Sequence, residues 1–402
     1  LQYLQYGASG AAPGWMVTTI AAVVILAPIF VGARLWLVAS LWFAAAWTFG
    51  MNWWLMGSLF APVAVLLAPP LRRALISNRI LSFFHKSGFM PAISDTEREA
   101  IAAGTVWLDG ELFSGQPSLK KLAHADYPDL SDEERAFIDG PVTTVCEMTN
   151  DWQVYQERDL PAEVWDYLKR ERFFGLAIDK DFGGLGMSAS ANSAVVQRLA
   201  SHSLPLAITV MVPNSLGPAE LLSHYGTDEQ KERWLPALAD GSQVPCFALT
   251  EPGAGSDAGA ISATGTVFRA ENGELMLRLS WNKRYITLAA VADVLGLAFQ
   301  LHDPENLLGK GPTPGITCAL IPTETAGVVL GRRHDPLGVP FFNCPTTGRD
   351  VIAPLEDAII GGTGGAGRGW QMLMECLAAG RGISLPATAC GGAQMTARTV
   401  GA

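Results

Sequence analysis

What this 402-residue sequence lacks narrows the reading first. Its six cysteines, Cys146, Cys246, Cys318, Cys344, Cys376 and Cys390, include no C-x-x-C pair. Neither a zinc site nor a disulfide framework is expected, and a reducing compartment suits them. The six histidines do not cluster with the cysteines, so no metal is expected. Basic excess is missing too. The net charge is −10 and no basic stripe interleaves with aromatics, which argues against a general nucleic-acid binder. No G-x-S-x-G nucleophile elbow occurs. Gly309-Lys310-Gly311-Pro312 lacks the upstream glycine and the Ser or Thr of a P-loop. The chain starts at Leu1 and stops soon after a new helical region opens, so a fragment is expected at both ends.

Charge is scarce in one place above all. Trp15 to Ala33 is nearly all apolar, Arg34 interrupts, and Leu35 to Leu71 carries no charge. A bilayer core needs about 20 apolar residues per helix. The expectation is N-terminal transmembrane helices over residues 1–71, two or three of them, with Gly50-Met51-Asn52 as a turn; a buried hydrophobic hairpin is the alternative. Arg72, Arg73, Arg79 and Lys86 follow the last span, and no Lys or Arg precedes the first. That asymmetry implies an inner-membrane protein whose remainder is cytoplasmic. Trp15, Trp36, Trp53 and Trp54 fall near span ends, where amphipathic rings favour the interface.

Residues 72–129 read as a linker with amphipathic helices. Ser94-Asp95-Thr96-Glu97, Ser131-Asp132-Glu133-Glu134 and Thr227-Asp228-Glu229-Gln230 are capping boxes that open helices. The first helix would run to about Gly104, and the second to about Asp139, before Gly140-Pro141. Pro161 to Phe174 and Ser188 to Ser201 read as helices, separated by a glycine-punctuated loop at 180–188. An α-helical domain over 130–244 is therefore expected. The period then changes. Thr264 to Glu271 and Glu274 to Trp281 are strands joined by Asn272-Gly273, a strong hairpin signal. Val291 to Leu301, Gly315 to Pro322 and Gly327 to Leu330 are further strands. This gives a middle β domain over 245–360, β-barrel-like or a sandwich, and the start of a C-terminal helical domain over 361–402. The fold class is α+β.

The chemistry centres on Cys246-Phe247-Ala248-Leu249-Thr250-Glu251-Pro252-Gly253-Ala254-Gly255-Ser256-Asp257. A buried strand meets a turn in which Gly253 and Gly255 can take positive φ and admit a ligand closely. Thr250 and Ser256 add hydroxyls that both donate and accept. Such a turn suits an anionic, hydrogen-bonding cofactor; an ordinary strand-end turn is the plain alternative. In Arg284-Tyr285-Ile286-Thr287 the aromatic and the threonine fall on one strand face, where a ring can stack on a planar cofactor. Gly362-Thr363-Gly364-Gly365-Ala366-Gly367 fits G-x-G-x-x-G, yet no strand–helix–strand unit follows and no Asp or Glu occurs after Glu375. A flexible interdomain loop is the better reading.

Together these residues resemble the acyl-CoA dehydrogenase family, most closely its membrane-associated bacterial members that act in β-oxidation of fatty acids. Leu249–Asp257 is similar to the family's flavin signature almost letter for letter. Asp181-Phe182-Gly183-Gly184-Leu185-Gly186, His224-Tyr225-Gly226-Thr227-Asp228-Glu229-Gln230-Lys231 and Leu377-Ala378-Ala379-Gly380-Arg381 resemble further family stretches. The resemblance implies FAD as cofactor. Phe247, Leu249 and Thr250 would line the flavin. Gly255 and Ser256 would meet its pyrophosphate, and Ser256 would also lie near the acyl-CoA. Tyr285, Ile286 and Thr287 would face the ring, with Tyr285 standing where the family usually has Trp. Arg381 would lie near the substrate.

The implied reaction removes the α-proton to a carboxylate and passes the β-hydrogen as hydride to the flavin, leaving a trans-2-enoyl-CoA. Medium- to long-chain fatty acyl-CoA is the implied substrate, with electron-transfer flavoprotein or a similar acceptor and a homo-oligomeric assembly. No catalytic base is assigned. The family's glutamate is expected beyond Ala402, and Glu251 reads as a structural carboxylate. An acyl-CoA oxidase and a non-catalytic, membrane-tethered acyl-CoA-binding module remain as alternatives.

Overall fold

The computed structural model describes residues 23, 26–27, 30–48, 50–87, 98, 108–113, 115, 117–125 and 128–402. The chain divides into two compact units, Leu1–Ile93 and Ser94–Ala402.

In the first unit, helices α1 (Leu35–Thr48) and α2 (Trp53–Leu67) are joined at Gly50, which has φ 68°. The turn falls where the sequence placed it. Asn52 closes it by accepting the Trp54 N–H at 3.0 Å. At about 1.5 Å per residue each helix reaches roughly 21–23 Å, short of the ~30 Å hydrocarbon core. Among the described residues no single helix is long and apolar enough to cross a membrane. One pair, Trp53–Leu67 with Pro69–Phe84, meets the length and composition but is bent by 89°. The break falls at Pro69-Pro70, whose missing N–H groups cannot continue the ladder. The helical hairpin therefore stands in place of the long spans expected over 35–71. The expected run from Trp15 to Ala33 lies largely outside the described residues, as does the Ser94–Glu97 box. Helix α3 (Asn78–Lys86) follows, with Ile80, Leu81 and Phe83 exposed.

In the second unit both remaining capping boxes form. Ser131 caps α4 (Asp132–Phe137), and Thr227 caps a later helix, each with its reciprocal side-chain bond. Glu134 does more than close its own box. Its two oxygens accept the N–H of Ser131 and the N–H of Ser188, each at 2.8 Å. Those backbone donors hold its carboxyl down at about 2. The helix does not stop before Gly140-Pro141 as expected. It continues through a π turn, Ile138–Val142, and on to Met148. A wider turn tolerates a proline there because the i→i+4 ladder is already interrupted.

The helical layer then comprises α5 (Asp151–Glu157), α6 (Ala162–Arg170), α7 (Ala189–Ala200), α8 (Leu204–Ser215), α9 (Ala219–Tyr225) and α10 (Asp228–Ala239). The helix after Pro161 ends four residues earlier than read, and Arg172 enters the left-handed region at φ 62°. Helix α8 is buried all round, as its apolar sequence requires. A last helix, α11 (Ala378–Gly401), packs on α7 and α8.

The β region is one seven-stranded sheet, so among the described residues a two-sheet sandwich is not what forms. Its strands are β1 (Pro245–Ala248), β2 (Thr264–Arg269), β3 (Leu275–Thr287), β4 (Val294–His302), β5 (Gly315–Pro322), β6 (Val328–Leu330) and β7 (Asn343–Pro354). Central β4 is almost wholly buried, and its sequence is a continuous apolar run. The β2–β3 connection is longer than two residues. Gly273, at φ 87°, donates to Ala270, and Ala270 donates to Glu274. That is a type of loop in which glycine takes the left-handed bulge position. Strand β7 had no place in the sequence reading, though it makes the longest ladder with β3. Gly348 lets it form: a Cβ there would lie 2.2 Å from the Trp281 ring.

Replacing Gly348 with Ala should therefore destabilise the protein by about 1–3 kcal/mol through overpacking. Urea unfolding checks this, and an unchanged midpoint would contradict the packing of Trp281 on Gly348.

Candidate functional site

Strands β1 and β2 occupy the same side of β4. β1 pairs in parallel with Val294–Leu297 and β2 with Gln300–His302. Residues 249–263 are thus an excursion that leaves the sheet and returns to the same neighbour. Glu251 and Ala254 exchange both backbone hydrogen bonds, at 3.1 and 3.2 Å, which reverses the chain over Pro252-Gly253. Gly253 and Gly255 do not take the positive φ expected of them. Their role is spatial instead. A Cβ on either would stand in open space, with nothing within 4 Å. Among the described residues the N–H groups of Gly253, Gly255, Ser256 and Asp257 donate to no backbone carbonyl. All four residues are exposed.

Two consecutive residues of β3 hold this excursion. Lys283 Nζ donates to the Leu249 carbonyl at 2.9 Å and to Glu251 Oε1 at 2.8 Å, and the Arg284 N–H donates to the Thr250 carbonyl at 3.0 Å. The Lys283 and Glu251 side chains are 0% and 2% exposed. Glu251 also accepts the N–H and hydroxyl of Ser262, each at 2.6 Å, and the Ala263 N–H at 2.9 Å. Burial alone would raise its pKa, but these donors, Lys283 foremost, outweigh burial and hold it below its ordinary 4.5. Burial conversely pulls Lys283 below 10.5, against the pull of Glu251. A carboxylate so engaged is structural, as the sequence suggested.

At Tyr285 the β3–β7 register shifts and the backbone takes φ 58°. The ring is half exposed, and the Arg284 guanidinium lies over it, 4.3 Å from its centroid. Ile286 is buried and Thr287 half-buried. Phe247 is half-buried against Gly296, where a Cβ would come within 2.5 Å of its ring. Leu249 lies in the core, and Thr250 is half-buried. Thus Thr250, Gly255, Ser256, Tyr285 and Thr287 belong to two stretches that the structure joins. Arg381 stands apart, exposed on the first turn of α11.

Other features fall outside that join. Glu375 accepts hydrogen bonds from Tyr225 and, at 2.9 Å, from Gln371. The stretch 362–367 is not a flexible loop. It is a pinned helical turn, Gly362–Gly365, whose Thr363, Gly364 and Ala366 carbonyls accept from Lys310 Nζ at 2.7–3.2 Å. A cavity of about 210 Å³ lies among α7, α8, α9 and α11, with Asn192, Ser215, Glu220 and Ile383 on its wall. Asn192 Oδ1 is buried there without a partner, and burial raises the Glu220 pKa. Sequence reasoning did not single out these residues, since single side chains on four separate helices form no motif.

The acyl-CoA dehydrogenase N-terminal domain matches residues 129–242, and the middle domain of the same enzymes matches 246–351, together more than half of the chain. The chain belongs to the acyl-CoA dehydrogenase family. Among curated relatives, Protein HemX of Proteus mirabilis is 55% identical over 105 residues, covering 26% of this chain and 61% of that protein. The 3-(aryl)acrylate reductase of Clostridium sporogenes is 34% identical over 246 residues, 60% of each. The chain therefore spans about three fifths of the length of these relatives. Butyryl-CoA dehydrogenase from Megasphaera elsdenii shares the fold, with a TM-score of 0.56 at 24% identity over 66% of this chain and 67% of that one.

The cofactor that family membership indicates is FAD. The residues present fit it. Unengaged N–H groups at Gly253, Gly255, Ser256 and Asp257 suit a pyrophosphate, and a half-exposed aromatic ring with a hydroxyl two residues on suits a flavin face and edge.

Lys283→Met should cost about 3–5 kcal/mol by stranding a buried carboxylate, whereas Lys283→Met with Glu251→Leu should recover part of that loss. Chemical denaturation of the three proteins measures this. Because the folded pKa of Glu251 lies below its unfolded value, its stabilisation is complete above the ordinary 4.5 and is lost as pH falls through the lower folded value. The Glu251→Gln protein should therefore lose less stability than wild type over that acid range.

Proposed function

We propose that the chain carries the flavin-binding part of an FAD-dependent enzyme that oxidises medium- to long-chain fatty acyl-CoA to trans-2-enoyl-CoA. The observation that carries this reading is the docking of Leu249–Glu251 onto Lys283–Arg284. It joins the turn that carries the unengaged N–H groups of Gly253, Gly255, Ser256 and Asp257 to the strand that carries the half-exposed Tyr285 ring. Bound FAD would supply the hydride acceptor. The protein's part is to bind and orient. Gly255 and Ser256 would hold the pyrophosphate, and Ser256 would also meet the acyl-CoA. Thr250 would bond the flavin edge, over a floor that includes Phe247 and Leu249. Tyr285 would stack on the ring, with Ile286 fixing the strand behind it and Thr287 bonding near N5. Arg381 would face the substrate. Glu251 and Glu375 are both engaged in protein hydrogen bonds, so the α-proton would go to a different carboxylate.

The reading extends to partners. An electron-transfer flavoprotein or similar acceptor would reoxidise the flavin, and a homo-oligomer is the expected assembly. The exposed apolar residues of α1 and α2, with Arg72, Arg73, Arg79 and Lys86 after them, favour attachment to an inner membrane from its cytoplasmic side.

Three experiments test this. The purified full-length protein should show flavin absorbance, or gain it on adding FAD, and should reduce an artificial acceptor with C8–C16 acyl-CoA; absence of any flavin would refute the enzyme. Ser256→Ala should weaken FAD retention about fivefold or more, the loss of one hydrogen bond to a charged group. Deleting residues 1–93 should release the protein from sedimenting membranes, and retention would refute the anchor.

A further inference from the structure

One side chain meets Tyr285 directly and Thr287 through a single neighbour. The His334 ring lies against Tyr285, with centroids 5.2 Å apart and planes tilted by 54°. Its Nδ1 is 3.2 Å from Asn343 Oδ1. The His334 N–H donates to the Asn343 carbonyl at 2.6 Å, so backbone and ring grip one residue. Asn343 opposes Thr287 at the end of the β3–β7 ladder and is 4% exposed. Its Nδ2 donates to Thr287 Oγ1 at 3.3 Å. Tyr285 directly and Thr287 through Asn343 therefore meet the same imidazole, which places both on one side of β3.

The chain of donors has a direction. An amide has a donor end and an acceptor end. With the proton on His334 Nδ1, Asn343 Oδ1 is the acceptor, and its NH₂ must face Thr287. A hydroxyl has one donor and two acceptor sites. Since Thr287 Oγ1 accepts from Asn343, its own O–H points elsewhere and is free to donate to a ligand. The far nitrogen of His334 plays no part in this relay, and the tautomer is set by the bond that Nδ1 makes.

We propose that His334 is a positioning residue of the flavin site: through Asn343 it holds the Thr287 hydroxyl as a donor toward the cofactor, and with its ring it braces Tyr285. This rests on the flavin reading of Tyr285 and Thr287. The oxidised flavin offers an acceptor at its ring nitrogen, so an oriented Thr287 donor stabilises the oxidised form, and a freely rotating one does so less.

The test uses the full-length, FAD-loaded protein and reads the flavin midpoint potential by visible absorbance. His334→Phe keeps a ring against Tyr285 and deletes the Nδ1–H donor. His334→Asn keeps a donor near the Nδ1 position and deletes the ring. His334→Phe should lower the oxidised-to-reduced ratio at fixed potential about fivefold, as expected for one lost hydrogen bond, which is about 20 mV upward for a two-electron couple. His334→Asn should stay within about twofold of wild type on the same scale, because its donor survives. Asn343→Leu should reproduce His334→Phe. If that buried replacement fails to fold, the two His334 variants decide by themselves. Flavin-loaded His334→Phe at the wild-type potential would overturn the proposal while leaving the flavin site standing. Wild-type protein that takes up no FAD would overturn the site itself, and the relay with it.

Discussion

The buried pair of Lys283 and Glu251 is the constraint on which the site depends. A chain that leaves a sheet and returns strands backbone groups that the ladder would otherwise satisfy. Here those groups are the Leu249 carbonyl and the N–H groups of Ser262 and Ala263, at the two ends of the excursion. Leaving any of them buried and unpaired costs about 1–3 kcal/mol. Lys283 satisfies the outgoing end, Glu251 the returning end, and the two satisfy each other. An apolar pair of equal volume would avoid the desolvation of two charges but would leave those backbone groups empty. The ion pair therefore replaces missing sheet hydrogen bonds, and it joins the glycine turn to the strand that carries Tyr285.

The same device recurs wherever this chain departs from regular structure. Gln230, after serving its capping box, donates to the Glu356, Asp357 and Ile359 carbonyls and accepts the Gly361 N–H at 2.9 Å. Lys310 collects three carbonyls of the next turn. Between them these side chains organise 356–366. Two of its glycines answer to close packing: a Cβ on Gly365 would lie 1.9 Å from the Ile360 carbonyl, and one on Gly361 2.7 Å from the Tyr225 carbonyl. Of the G-x-G-x-x-G glycines, Gly367 is held to close packing, its Cβ position lying 2.5 Å from the Pro314 carbonyl, whereas Gly364 faces open space. Gly253 and Gly255 likewise have no protein atom within 4 Å of a Cβ.

Features encoded within a few residues were legible in the sequence. The capping boxes at Ser131 and Thr227 formed because both partners of each lie three residues apart. The strands over 264–322 followed from alternation and apolar runs, and the α+β order followed from the change of period. What escaped depends on distant partners. Strand β7 carries Pro345, Gly348 and Asp350, poor strand formers, and exists because β3 offers a ladder and Trp281 needs an uncovered backbone. The helix through Gly140-Pro141 and the break at Pro69-Pro70 show opposite fates for proline, one absorbed in a π turn and one bending a helix. Within the site, the residues of the two stretches were readable, but their join through Lys283 was not. A lysine inside a strand gives no local sign that it will be buried.

Tyr285 shows why that join matters. A left-handed backbone at a bulky residue costs on the order of 1 kcal/mol or more, and it persists only when its surroundings impose it. The preceding residues are tied to the glycine turn by Lys283 Nζ and the Arg284 N–H, and the following ones resume the β7 ladder at Ile286 and Thr287. Both flanks are fixed, so the register shift must be absorbed at Arg284–Tyr285. The ring is thereby turned outward and left half exposed, with Arg284 on it and His334 beside it. A core tyrosine would gain by burial, and an outward ring forgoes that gain. The strain is understandable if the ring's partner is a planar ligand held by the same turn that imposes the bulge. On that argument the glycine turn and the aromatic are two ends of one device, with Lys283 and Glu251 between them.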